Sequence, residues 1–365
     1  MILALMARLR DVAVRDHFAF VANGDSGLAV VDWEIPIDQI VSQLELGNAA
    51  DAQGVFLYGD YAYLASGDDG LKIVNIENPR QPALVATQRV PGYIRSVYVQ
   101  PTAINNAEGE NRIFAYVVGG GKNKPSGLWI YDVTDPRNSR QVGVYDVSQP
   151  VLDISVDGRI AYLLHEQLGL ITLDVSDPSR PQLKWSQSVE GDYSHIYRSG
   201  RLVYVGRKSD GIQLFRMENI QAPGLVMEFS TGELVLQDMV VVDNYAYGVD
   251  GERGLWVLDI SKPKAPAVIE FVDTPGYARA LAVINDQLFL ADGGRGIRIY
   301  GIQNRSAPEF LGSFEAMENA QAIIGKGEYI YVANAQGGVI IFNVADPAKI
   351  EPVGSFKTRG SALDI

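Results

Sequence analysis

A glycine returns along this chain at an almost constant step. It stands at Gly27, Gly70, Gly127, Gly169, Gly211, Gly254, Gly296 and Gly338, at intervals of 43, 57, 42, 42, 43, 42 and 42 residues. Each time it opens a similar phrase, such as "GLWIYDVTDP" (Gly127–Pro136), "GLITLDVSDP", "GLWVLDISKP" or "GVIIFNVADP". A fixed period running through the whole chain means a repeat architecture, in which each unit buries its apolar faces against its neighbours. The one long interval belongs to repeat three. It holds the insertion "PTAINNAEGENR" (Pro101–Arg112) and the enlarged loop "GGGKNKPSG", whose "GGGKNK" portion (Gly119–Lys124) reads as flexible.

Each repeat contains four short apolar runs. In repeat six these are "LQDMVVV", "YAYGV", "LWVLDI" and "PAVIEFV", separated by "DN", "DGERG" and "SKPKA". Runs rich in Val, Ile, Tyr and Phe between Gly, Asn, Asp and Pro are strands, and no segment keeps a helical period. Four strands in a 40–45-residue unit predict a propeller blade, since β-helix coils are far shorter. Apolarity on both sides of runs such as "GLITLDV" agrees, because a blade packs on both faces. The expectation is one all-β domain over residues 1–365, a β-propeller of eight four-stranded blades, with seven as the alternative. The C-terminal "SALDI" matches the first-strand start "PVLDI", and "MILALM" reads as a remnant fourth strand.

The repeated phrase reads as scaffold. Its glycine supplies a backbone angle that other residues resist, closing the hairpin between second and third strands. Asp132, Asp174 and Asp259 end the third strand, where a carboxylate accepts local backbone N–H bonds. The following prolines (Pro82, Pro181, Pro223, Pro266, Pro308, Pro352) introduce an outer strand whose free edge tolerates a missing donor.

"GLITLDVSDPSRP", "GLKIVNIENPRQP" and "GLWVLDISKPKAP", with the upstream "DVAVRDHFAFVANG", resemble the bacterial and archaeal LVIVD repeat family. The resemblance spans essentially the whole chain; repeats five and seven depart from it at "LFRMEN" and "IYGIQN". It implies a propeller, commonly of surface or secreted proteins, and carries no set of catalytic residues.

Charge narrows the partners. Lys plus Arg is 31 and Asp plus Glu is 44, a net −13, which opposes binding to nucleic acid or anionic lipid by general attraction. With no cysteine, disulfides, zinc–thiolate sites and cysteine nucleophiles are excluded. No apolar run approaches a membrane span, and "MILALMARLR" is not a complete signal peptide. Extracytoplasmic residence is expected from the family resemblance; a monomer without metal or cofactor is a separate expectation.

Chemical motifs are sparse. The three histidines, His17, His165 and His195, show no metal-ligand spacing; His17 is expected in a hairpin turn and His165 in a loop, both solvated. "GDSG" (Gly24–Gly27) is a hairpin turn, and "SGDDG" (Ser66–Gly70) lacks the donor spacing of a calcium loop. Sialidase, Trp-Asp, kelch and quinone-docking signatures are missing, and no G-x-S-x-G elbow occurs.

What remains is a ring at the start of each innermost strand, predicted to line the mouth of a central channel. Its members are Arg10, Gln53, Arg95, His195, Arg279 and Gln321, with Tyr93, Tyr193 and Tyr277 from the preceding loops. Concave places with convergent polar groups favour ligands. Asp11, Asp153 and Asp238 recur beside the ring and read as structural latches on backbone amides. The expected function is a non-catalytic binding scaffold for a protein, carbohydrate or small molecule, with the insertion in repeat three as a further contact candidate. The alternative is a hydrolase or lyase at the mouth, using His195 with Asp153 or Asp238 for acid–base work beside Arg95 and Arg279.

Overall fold

The computed structural model describes residues 11–32, 40–47, 51–103, 111–187, 193–199, 202–207, 212–217, 224–229, 236–262, 267–315, 317–346 and 350–356. Among them the chain forms eight antiparallel sheets of four strands, each sheet made of consecutive strands paired in chain order. The repeats are therefore blades, and the described residues hold eight of them. "SALDI" and "MILALM" lie outside the described residues. The first strands are Asp11–Arg15, Gly54–Tyr58, Ile94–Ala103, Val151–Asp157, Tyr193–Ser199, Leu236–Val242, Ala280–Ile284 and Ala322–Lys326. First strands of neighbouring blades pack on one another, which puts them nearest the axis.

The two-sided apolarity now has a cause. In blade 2, Ala62, Leu64 and Val74 pack with Phe20, Leu28 and Val30 of blade 1. The alternate residues Tyr63, Ala65 and Ile73 pack with Val97, Val117 and Trp129 of blade 3. Successive strand residues face opposite sides, so each central strand serves two interfaces and every position is buried, as at Phe18–Ala22 and Leu28–Asp32. Outer strands such as Ala83–Gln88 are partly exposed. The ring closes by the same packing. Ala19, Val21, Ala29 and Val31 of blade 1 share a cluster with Ile323, Ile330 and Val332 of blade 8.

The recurring phrase is built as expected. The amides of Thr134, Ser176 and Ser261 donate to Asp132, Asp174 and Asp259 at 3.1, 2.9 and 2.8 Å. Seven of the eight opening glycines are described, and all seven have positive φ, near 80° in most. There is a second reason for glycine. A Cβ at Gly27, Gly70 or Gly296 would strike the carbonyl oxygen of Leu44, Gln88 or Phe314 on the fourth strand. The hairpin between first and second strands also has positive φ, at Asp16, Gly59, Gly158, Asp243, Asn285 and Gly327. Nothing lies within 4 Å of a Cβ built at Gly59, Gly158 or Gly327, and there the chain uses Asp and Asn as well as Gly.

Repeat three departs from expectation. "GGGKNK" is an ordered hairpin tip: Gly121 pairs with Lys124 around a two-residue turn, with Asn123 at φ 66°. Asn takes such a turn readily, so no long flexible loop is needed. The inserted segment lengthens the first hairpin, pairing Pro101 with Ile113 and Ala103 with Asn111.

On the face opposite the mouth, arginines join blades. Arg15 donates to the carbonyls of Gly59 and Ile76 in blade 2, both at 2.6 Å. Arg305 of blade 7 reaches Asp243 of blade 6 at 3.0 Å and Asp286 at 2.7 Å.

Candidate functional site

The mouth is built from main chain first. The turn between second and third strands of one blade bonds the segment entering the next: Gly24 pairs with Ala52, Gly67 with Ile94 and Gly293 with Ala320. Each partner directly precedes a predicted ring residue, Gln53, Arg95 or Gln321. Every ring position described sits at a β-bulge. The Gln53 amide donates to Ala65 at 2.7 Å while Gly54 also faces Ala65. Arg279 with Ala280 opposes Ala291, and Gln321 with Ala322 opposes Ala333, in the same way. In blade 3 the register slips at Arg95, and in blades 4 and 6 it slips at Leu152 and Gln237, directly before Asp153 and Asp238. A bulge re-aims a side chain and bends the strand end, so one irregularity repeats around the rim.

The ring side chains then sort by blade. Arg95 lies over the Tyr93 ring at 5.2 Å and Arg279 over the Tyr277 ring at 4.7 Å, cation–π distances in both cases. The Tyr93 hydroxyl donates to Asp51 at 2.7 Å. Neither arginine makes an ion pair among the described residues, whereas Lys124 pairs with Asp68, Lys72 with Asp69 and Arg298 with Asp292 nearby. Arg279 Nε and Gln53 Nε2 are buried with no hydrogen-bond partner. Blades 2, 3, 7 and 8 thus present Gln, Arg, Arg and Gln at one register. Arg10 and the side chains of Asp11, Tyr193 and His195 lie outside the described residues.

Asp153 and Asp238 are occupied by backbone donors. Asp238 accepts from Met239 at 2.7 Å and, across the blade boundary, from Leu281 at 2.8 Å. Asp153 accepts from Ile154 at 2.8 Å and faces the Ser96 hydroxyl at 3.4 Å. Among the described residues, no group of His, Asp and Glu could hold a metal ion, and no helix is long and apolar enough to cross a membrane.

His165 corrects the sequence expectation. It ends a second strand with no exposed surface, and its Nδ1 accepts from the amides of Gln167 and Leu168 at 3.1 and 2.9 Å. Burial pushes its pKa below the ordinary histidine value, so the ring is neutral with its proton on Nε2. His17 does occupy the first hairpin turn, partly exposed, with Nε2 4.0 Å from Asp32.

His165 belongs to a set that sequence reasoning missed. Four residues before the opening glycine stand Asn23, Ser66, His165, Asp250, Asp292 and Asn334, all buried. Asn334 accepts from the amide of Asn319, in the loop leading to Gln321, at 2.9 Å. Asp292 accepts from Thr274 at 2.8 Å and from the Gly276 amide at 3.1 Å, fixing the loop that carries Tyr277 and Arg279. Burial pushes the Asp292 pKa up, against the hydrogen bond of Thr274 and the charge of Arg298. A polar residue at a fixed offset within apolar strands was the available signal.

The architecture recurs among solved structures. The computationally designed Ika8 protein is 11% identical, covering 93% of this chain and 97% of that one, with a TM-score of 0.70. The Chaetomium thermophilum Sqt1 bound to the N-terminus of ribosomal protein L10 is 13% identical, covering 89% and 93%, at 0.63. BamB from Moraxella catarrhalis is 16% identical, covering 85% and 86%, at 0.58. At such identities the likeness concerns fold alone. None of the curated proteins matches the chain by sequence. The LVIVD repeat matches residues 8–33, 49–88, 150–189, 236–274, 275–316 and 318–358. These segments hold more than half of the residues, and the chain belongs to the LVIVD repeat family.

Proposed function

We propose that this propeller is a binding scaffold that holds a protein partner over the channel mouth between blades 2–3 and 7–8. One observation carries the reading: Arg95 and Arg279 stand at one bulged register of the mouth, stacked on Tyr93 and Tyr277, and neither forms an ion pair among the described residues. A guanidinium held against an aromatic face keeps its hydrogen-bond donors for an acceptor supplied by a partner. Asp153 and Asp238 serve as latches between or within blades, which speaks for a rigid rim over acid–base chemistry. That a propeller relative in fold is seen bound to a protein N-terminus supports a protein as the occupant.

The test is site-specific photo-crosslinking in the native cell, with the reactive side chain placed at Glu318 near the mouth or at Leu183 on an outer strand. A discrete adduct from the mouth position, absent from the rim position, is expected. Equal labelling at both, or none at the mouth, sinks the reading. We further infer residence outside the cytoplasm, on the strength of family kinship, and a monomeric state. Light scattering and cell fractionation check these two points.

A further inference from the structure

Charge and hydrogen-bonding capacity at the mouth narrow the partner to one chemistry. In a chain with 44 carboxylates against 31 basic side chains, an arginine finds an acidic neighbour easily. Three cations around the mouth do so: Lys124, Lys72 and Arg298 each hold a carboxylate. Two acidic groups closest to these arginines are engaged, since Asp51 takes the Tyr93 hydroxyl and Asp292 is fully enclosed. Arg95 and Arg279 are left with only aromatic faces, which orient a guanidinium without neutralising it. Beside them Gln53 and Gln321 occupy the same bulged register.

We propose that the arc formed by blades 7–8 and 2–3 binds a carboxylate-bearing peptide segment, extended and rich in Asp or Glu, of the protein partner. This rests on the scaffold reading above and specifies its ligand. A guanidinium that keeps its fork free matches a carboxylate in two-point geometry, and the partly buried Gln321, in the register beside Arg279, adds a side-chain amide. The net charge of −13 repels acidic chains elsewhere on the surface, so attraction is local to the arc.

The experiment uses fluorescein-labelled hexaglutamate, with labelled hexalysine and hexaserine as controls, read by anisotropy on the full chain. Hexaglutamate is expected to bind better than hexaserine. Its affinity should fall at least about tenfold for Arg95→Ala or Arg279→Ala, vanish for the double variant and drop with added salt. Arg180→Ala, in an exposed turn following a third strand, should leave it unchanged. No hexaglutamate binding, equal binding by the double variant, or an equal loss with Arg180→Ala overturns the proposal. Circular dichroism of each variant separates lost binding from lost fold. If mouth crosslinking captures a partner that hexaglutamate neither mimics nor displaces, the carboxylate assignment falls and the scaffold reading stands. If crosslinking also fails, both fall.

Discussion

Replacing Gly70 and Gly59 separates two demands that both call for glycine. Both have positive φ, 82° and 54°, and alanine in that region costs about 1–2 kcal/mol. Only Gly70 faces a neighbour: an added Cβ meets the Gln88 carbonyl oxygen and lies 2.9 Å from the Val90 amide nitrogen. The fourth strand must shift away from the third, and forced overpacking of this kind costs about 1–3 kcal/mol more. Gly70→Ala is therefore expected to destabilise by about 2–5 kcal/mol, and Gly59→Ala by about 1–2 kcal/mol. Gly59→Asn should be milder still, because Asn285 fills the equivalent turn position in blade 7 at φ 48°. Urea unfolding followed by tryptophan fluorescence reads all three; Trp129 packs at the boundary of blades 2 and 3. Equal midpoints for Gly70→Ala and Gly59→Ala would refute the collision argument and reduce the recurring glycine to a matter of backbone angle.

Asp238→Ala removes a carboxylate that bridges the Met239 and Leu281 amides, and should cost about 1.5–3 kcal/mol in denaturant unfolding; an unchanged midpoint would mean water substitutes fully. His165 makes stability pH-dependent. Its pKa is lowered on folding, so the unfolded chain binds the extra proton first. The stability is complete above the unfolded value of about 6.5 and is lost as pH falls from there towards the folded pKa. His165→Asn, which places in blade 4 the residue that blades 1 and 8 use at that offset, should remove this contribution. The check is the difference between wild-type and variant unfolding free energies at neutral and mildly acidic pH; a difference that does not change with pH refutes it.

The blades were legible because glycine spacing, strand-length runs and turn residues repeat, and repetition converts weak local signals into a strong one. The bonds of Asp132, Asp174 and Asp259 followed from residue type and position. What the mouth does with its residues was less legible. The described ring residues did share one register, yet no residue type announces a bulge, which depends on how two strands count against each other. His165 was misjudged because its turn, "HEQLG", is polar on paper. Its own ring supplies the acceptor that those turn amides require, and that draws it inside. Asn123 shows the reverse: a glycine-rich stretch is held in register by one asparagine able to adopt a left-handed angle.

Among the described residues, no sheet borrows a strand from the opposite end of the chain, and blade 8 packs on blade 1 through apolar side chains. Apolar packing of the same kind joins the described blades around the circle, and no described sheet needs a terminus threaded back into it. Cutting the polypeptide between any two blades and joining its old ends through a linker long enough to reach should yield the same ring. Gain or loss of a whole unit would then demand only small adjustments of the angle between neighbours.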